Sequence, residues 1–140
     1  MPIELVIVTP HREAFRGRVD AVVLPGSEGD FGVLEGHERF LSPLRLGEVE
    51  IRSGAQSRWA AIESGFARVE GQLVSVLVDD CALAEEIDVA AARAAAEAAE
   101  QALGSFGHSV DPVERAAQEA ALASARNRLA VAPRASRARP

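Results

Sequence analysis

Residues 73–100 read LVSVLVDDCALAEEIDVAAARAAAEAAE, and the change of character inside this stretch decides the fold. Leu73 to Val78 reads as a strand that stops at Asp79-Asp80. From Asp88 to the end, 19 of 53 residues are alanine and few are β-branched, so the pattern turns helical. The chain therefore divides into residues 1–86, a β domain, and residues 87–132, a helical hairpin, with a basic flexible tail at 133–140.

Upstream, short apolar runs alternate with turn signals. Leu5-Val6-Ile7-Val8 stops at Thr9-Pro10, and Val19 to Leu24 stops at Pro25-Gly26. Gly47 to Arg52 alternates polar and apolar residues, as a strand with one wet face does. Trp59–Ile62 and Phe66–Val69 follow, with breaks at Glu63-Ser64-Gly65 and Glu70-Gly71-Gln72. Short strands at this spacing without intervening helices predict an antiparallel sandwich or barrel and disfavour parallel βαβ units. The segment from Pro25 to Pro43, with four glycines, Phe31, His37 and Phe40, is a candidate recognition loop.

Downstream, Asp88 is placed to cap a helix running to about Leu103, and Gly104-Ser105-Phe106-Gly107 breaks it. Asp111-Pro112-Val113-Glu114 combines an N-cap aspartate, proline at the first helical position and glutamate at N3, so a second helix is expected to about Val131, ending before Pro133. Two helices joined this closely form an antiparallel hairpin. Alanine offers little area to bury, so the hairpin should dock weakly, through a thin seam in which Leu122 and Leu129 lie on the sandwich.

Composition narrows the function. A net charge of −6 argues against a nucleic-acid partner. All fifteen basic residues are arginine, which removes Schiff-base chemistry, a Ser-Lys dyad and a phosphate-loop lysine. One cysteine, Cys81, makes no disulfide framework and fits a reducing compartment. No apolar run is long enough to span a membrane and the N-terminus lacks a signal-peptide pattern, so the chain is expected in the cytoplasm, touching membrane only through partners. Residues 1–87 carry 15 acidic and 8 basic side chains, net −7, whereas residues 88–140 carry 6 and 7, net +1. A near-neutral, arginine-bearing hairpin can leave such an acidic domain for an acidic partner.

No catalytic pattern emerges. His11, His37 and His108 lie far apart, outside any metal-ligand spacing. Cys81 follows Asp79-Asp80, whose charge disfavours a thiolate. Asp79-Asp80 and Glu85-Glu86 read as solvated or capping carboxylates at a strand-to-helix junction. Gly26-Ser27-Glu28-Gly29-Asp30-Phe31-Gly32 is a tight turn whose acidic residues repel phosphate. No metal or cofactor is expected.

Several motifs resemble the epsilon subunit of the bacterial rotary ATP synthase. They are Val8-Thr9-Pro10, Phe15-Arg16-Gly17, Pro25 to Leu34 with the trailing Gly36-His37, Ser64 to Val69, Val74 to Asp79, Glu86-Ile87-Asp88, and Asn127 to Ala132. The resemblance implies a ten-stranded antiparallel β-sandwich followed by a helix-turn-helix. It also implies a non-catalytic central-stalk subunit on the cytoplasmic face of the inner membrane. Its partners would be the gamma subunit, the c-subunit ring and the alpha and beta subunits of the catalytic head. Such a subunit couples ring rotation to the head, and its extended hairpin inhibits ATP hydrolysis. By the same resemblance Glu28, Asp30 and His37 face the ring, and Arg115, Arg126 and Arg128 are candidates to meet the head.

The chain departs from that pattern at Glu35 and at Glu38-Arg39-Phe40, around Gly36-His37. Members that bind ATP on the hairpin carry Asp-x-x-Arg at the first helix and two arginines four apart in the second; here Ala91 follows Asp88 at that spacing, and Ser124 stands four before Arg128. ATP binding is therefore not expected. The rival readings are a free-standing adaptor sandwich and, with no supporting constellation, a small hydrolase.

Overall fold

The computed structural model describes residues 3–34 and 39–137. Ten strands come first: β1 (Ile3–Val8), β2 (Glu13–Val19), β3 (Ala21–Gly26), β4 (Gly29–Val33), β5 (Phe40–Leu44), β6 (Gly47–Ser53), β7 (Gln56–Ile62), β8 (Gly65–Glu70), β9 (Leu73–Val78) and β10 (Cys81–Leu83). A 3₁₀ turn at Ala84–Glu86 leads to α1 (Val89–Ser105), α2 (Pro112–Val131) and α3 (Arg134–Arg137).

The strands hydrogen-bond in the order β10-β7-β6-β3-β5-β8-β9-β1-β2, with β4 also on β3. β3 and β5 meet at one pair, Gly26 with Leu44, and there the sheet folds over into two layers. Strand periodicity puts alternate residues between the layers, where Ile3, Leu5, Ile7, Leu24, Val49, Ile51, Ile62, Val69, Val74 and Val76 are fully buried. Gly65 is required where β8 crosses β9, because a Cβ there would sit 2.0 Å from the Leu77 carbonyl oxygen.

Three details differ from the sequence reading. Val19–Leu24 is not one strand: Val19 ends β2, which pairs with β1, and Ala21 opens β3, which pairs with β6 in the other layer. Asp20 makes the corner, its Oδ2 accepting from the Gly54 amide at 2.6 Å. β1 and β9 run parallel; nearly the whole domain separates them, so no hairpin constrains their direction. Much of the segment read as a recognition loop is strand, since β4 folds back on β3 through a turn in which Gly29 takes φ 137°.

The helices start as their caps predict. Asp88 accepts from the Ala91 amide at 3.0 Å and Asp111 from the Val113 amide at 2.9 Å. α1 and α2 pack along rows spaced by threes and fours: buried Ala92, Ala96 and Ala99 on α1, and half-buried Leu122, buried Ala125 and half-buried Leu129 on α2. The tail does not fray at once beyond Pro133, for α3 forms over Arg134–Arg137 and packs on β7.

Candidate functional site

The outer face of β10-β7-β6 carries the hairpin. Register places Ala82 beside Ala61 and Ala61 beside Glu48, with Trp59 beside Glu50 in the next outward row. A strip of alanines lets a helix come close but gives it little to grip. The apolar grip is Val131, fully buried among Ala61, Ala84, Trp59, Ile87 and Ala135. The rest is polar. Ser124 Oγ donates to Glu63 at 2.7 Å, Asn127 Nδ2 donates to the Gly47 carbonyl at 2.9 Å, and Arg128 pairs with Asp80. Arg134 pairs with Glu48 at 3.1 Å and lies 4.1 Å over the Trp59 ring.

Ser124, Arg128 and Val131 recur at helical spacing on one side of α2, and Asn127 flanks them. Leu122 and Leu129 belong to the row turned to α1. The expectation that these leucines form the seam on the sandwich is thus corrected: the docked face is mostly hydrogen-bonded, with Val131 as its apolar anchor. Hydrophobicity alone hid this set; Glu48 of β6 and the inter-strand residues Glu63 and Asp80 were legible only as surface charge.

The junction between the domains is pinned. Arg12 donates to Glu86 at 3.0 Å and to the Cys81 carbonyl at 2.9 Å, and Arg58 pairs with Glu85 at 2.5 Å. The hydrogen bond from Arg12 holds the Glu86 carboxyl below its ordinary pKa, against a smaller opposing effect of burial. Cys81 is buried, and burial pushes its thiol up to about 11. Its inertness comes first from lost hydration rather than from the neighbouring carboxylates. The clamp fixes the chain up to Glu86, just before the hairpin begins.

Between the sandwich edge and the two helices lies a cleft of about 750 Å³ lined by Arg12, Asp80, Glu86, Asp88, Ala91, Ser124 and Arg128 among others. Ala91 and Ser124, the two departures from the ATP-binding pattern, both open onto it. Its guanidiniums are committed, Arg12 to Glu86 and Arg128 to Asp80. The lining thus sets three carboxylates beside two arginines that are already paired.

The opposite outer face, on β5-β8-β9-β1, is open and apolar around Phe66, while Arg68 and Glu70 pair further along β8. Pro43, Phe66, Leu77 and Val8 stand side by side across four strands. Phe66 is 52% exposed, Leu77 50% and Leu41, one row further along β5, 65%. Three large apolar side chains half open to water on one sheet face form a patch that solvent exposure does not favour. Strand alternation predicts outward positions, but only the register shows that these fall in one row.

The remaining expected residues are dispersed. Glu28 is exposed at the β3–β4 turn, and Asp30 on β4 pairs with Arg45. His37 lies outside the described residues. Arg115 reaches the hairpin loop, 5.7 Å over the Phe106 ring. Arg126 pairs with Glu100 of α1 at 3.7 Å, whereas Arg128 turns to the sandwich, as positions two apart on a helix must diverge. Among the described residues no three His, Cys, Asp or Glu side chains converge to hold a metal, and no helix is long and apolar enough to cross a membrane.

Sandwich, junction and docked hairpin together define a class: a β-sandwich domain joined to a domain of long α-helices. Residues 2–84 match the beta-sandwich domain of the ATP synthase delta/epsilon chain, and residues 85–132 match its long alpha-helix domain. The chain belongs to the ATP synthase delta/epsilon family. It is similar to the ATP synthase epsilon chain of Syntrophobacter fumaroxidans, at 44% identity over 93% of this chain and 95% of the relative. It is also similar to that of Desulforamulus reducens, at 38% over 91% and 95%. Among solved structures it resembles a chain of the Euglena gracilis mitochondrial ATP synthase, in an OSCP/F1/c-ring assembly. The TM-score is 0.75 at 27% identity, covering 90% of this chain and 78% of that one. A chain of the Tetrahymena thermophila enzyme's central stalk and c-ring, at 17% identity and TM-score 0.53, shares the fold.

Proposed function

We propose that this chain is the non-catalytic central-stalk subunit of a proton-translocating ATP synthase, held at the cytoplasmic face of the inner membrane by its partners. The observation that carries the reading is the division of the sandwich: one outer face is occupied by the chain's own hairpin and the other presents the row Pro43, Phe66, Leu77 and Val8 to solvent. The gamma subunit takes the apolar face. The β3–β4 turn, with Glu28 exposed, meets the c-subunit ring, and its shape is held by the Asp30–Arg45 pair. Coupling follows from a rigid sandwich fixed to both.

The hairpin regulates. Docked, it keeps Arg128 on Asp80. Extended, it offers Arg115, Arg126 and Arg128 to acidic residues of the alpha and beta subunits and hinders ATP hydrolysis. The relatives' names, ATP synthase epsilon chain, support the same reading. Retrieval of the tagged full chain from solubilised membranes tests it: gamma, c, alpha and beta subunits should come with it. A chain recovered alone would favour the adaptor reading.

A further inference from the structure

We infer that α3 is a latch, in which Arg134, held between the Trp59 ring and Glu48, locks the hairpin onto the sandwich and must let go before the hairpin can leave. Pro133 cannot continue α2, so the chain turns there; the Ala132 amide still bonds the Arg128 carbonyl at 2.9 Å, and the Ala135 amide bonds the Ala132 carbonyl at 3.2 Å. A four-residue helix has no stability of its own, so α3 exists because Ala135 and Arg134 pack on β7. Folding of α3 and docking of α2 are therefore one event.

Arg134 makes the less exposed of the two ion pairs that join the hairpin's second half to the sandwich. Arg134 and Glu48 are each 29% exposed, whereas the Arg16–Glu4 pair at the free edge is 55% and 48% exposed, and less water means less screening. The guanidinium also stacks on the sandwich's tryptophan. Yet its Nε is buried and has no hydrogen-bond partner among the described residues. On release that N–H regains water, so the latch is built to open. It is also well placed to act as one: the hairpin pivots at Ile87-Asp88, next to α1, and α3 ties down the other strand of the hairpin at its base.

The inference rests on the hairpin's being the moving element of the proposed function, but its test needs no partner subunit. Ser53→Cys and Ser109→Cys place two spin labels, one on the sandwich and one on the hairpin loop; Cys81, buried and with a raised thiol pKa, stays unlabelled. In the full chain Arg134→Ala should raise the ratio of long to short distances about tenfold. Glu48→Gln, which keeps the side chain's shape, should move it the same way by less, and adding it to Arg134→Ala should change nothing further. An unmoved distance distribution in Arg134→Ala overturns the latch. So does a parallel loss of sandwich melting temperature, which would make Arg134 merely structural. Failure to retrieve stalk subunits overturns the proposed function and leaves this result standing.

Discussion

Replacing Val131 by alanine tests the energetics of docking with one change. The side chain is fully buried between the sandwich and the base of the hairpin. The substitution removes two methylene equivalents, about 1.6 kcal/mol of transfer free energy. The cavity left behind raises this to about 2–3 kcal/mol if Trp59 and Ile87 do not close on it. All of it is lost from the docked state and none from an undocked hairpin in which Val131 is already wet. The ratio of undocked to docked chains should rise between about tenfold and about a hundredfold. Leu122→Ala is the control. Leu122 is half-buried on the row facing α1, and that contact survives if the hairpin leaves as a unit. It should loosen the hairpin while changing the docked ratio less than about threefold. Trp59 is the chain's single tryptophan and there is no tyrosine, so acrylamide quenching reports docking without a label. Exchange of the Ala135 amide gives a second readout. A larger shift for Leu122→Ala than for Val131→Ala would refute the assignment of the two rows.

Three further outcomes follow from the junction, the turn and the hairpin. Glu86 has its folded-state pKa lowered by Arg12, so the stability it adds is present above about pH 4.3 and is lost as pH falls through the depressed value; melting curves between pH 3 and 6 should show a shallower acid limb in Glu86→Gln, and an unchanged limb would exclude the clamp. Asp30→Arg sets like charge against Arg45 at the solvent surface, so it should cost the isolated chain about 1 kcal/mol or less while markedly lowering ATP-driven proton pumping in the assembled enzyme; full pumping with correct assembly would move the ring contact elsewhere. Truncation before Asp111 should raise ATP hydrolysis by the complex, and an identical rate would reject inhibition by this segment.

The β-to-α switch at Asp88 and both helix starts were legible because caps and alanine content act locally: Asp88 and Asp111 bind amides within three residues. The ten-strand sandwich was legible as a class, from turn spacing and from family resemblance. What failed depended on distance along the chain. Asp20 reads as one residue in a β-branched run, yet it is a corner between layers, because β2 and β3 find different partners far away. The docking set was hidden for the same reason. Leu122 and Leu129 are the large apolar residues of α2, but the helix meets the sandwich with Ser124, Asn127, Arg128 and Val131, whose partners Glu63, Gly47, Asp80 and Ala61 lie at least 48 residues earlier. Phe66 and Leu77 each looked like ordinary strand residues, and only their register makes a patch.

Binding of the gamma subunit to the open sheet face underlies the whole proposed function. Calorimetric titration of the full chain with that subunit addresses it, beside Phe66→Glu, which puts a charge at the centre of the row without disturbing the buried core. One-to-one binding by the native chain should be lost or weakened at least about a hundredfold in Phe66→Glu, with the melting temperature unchanged. Equal binding by the two proteins, or none by either, would show that gamma does not sit on this face.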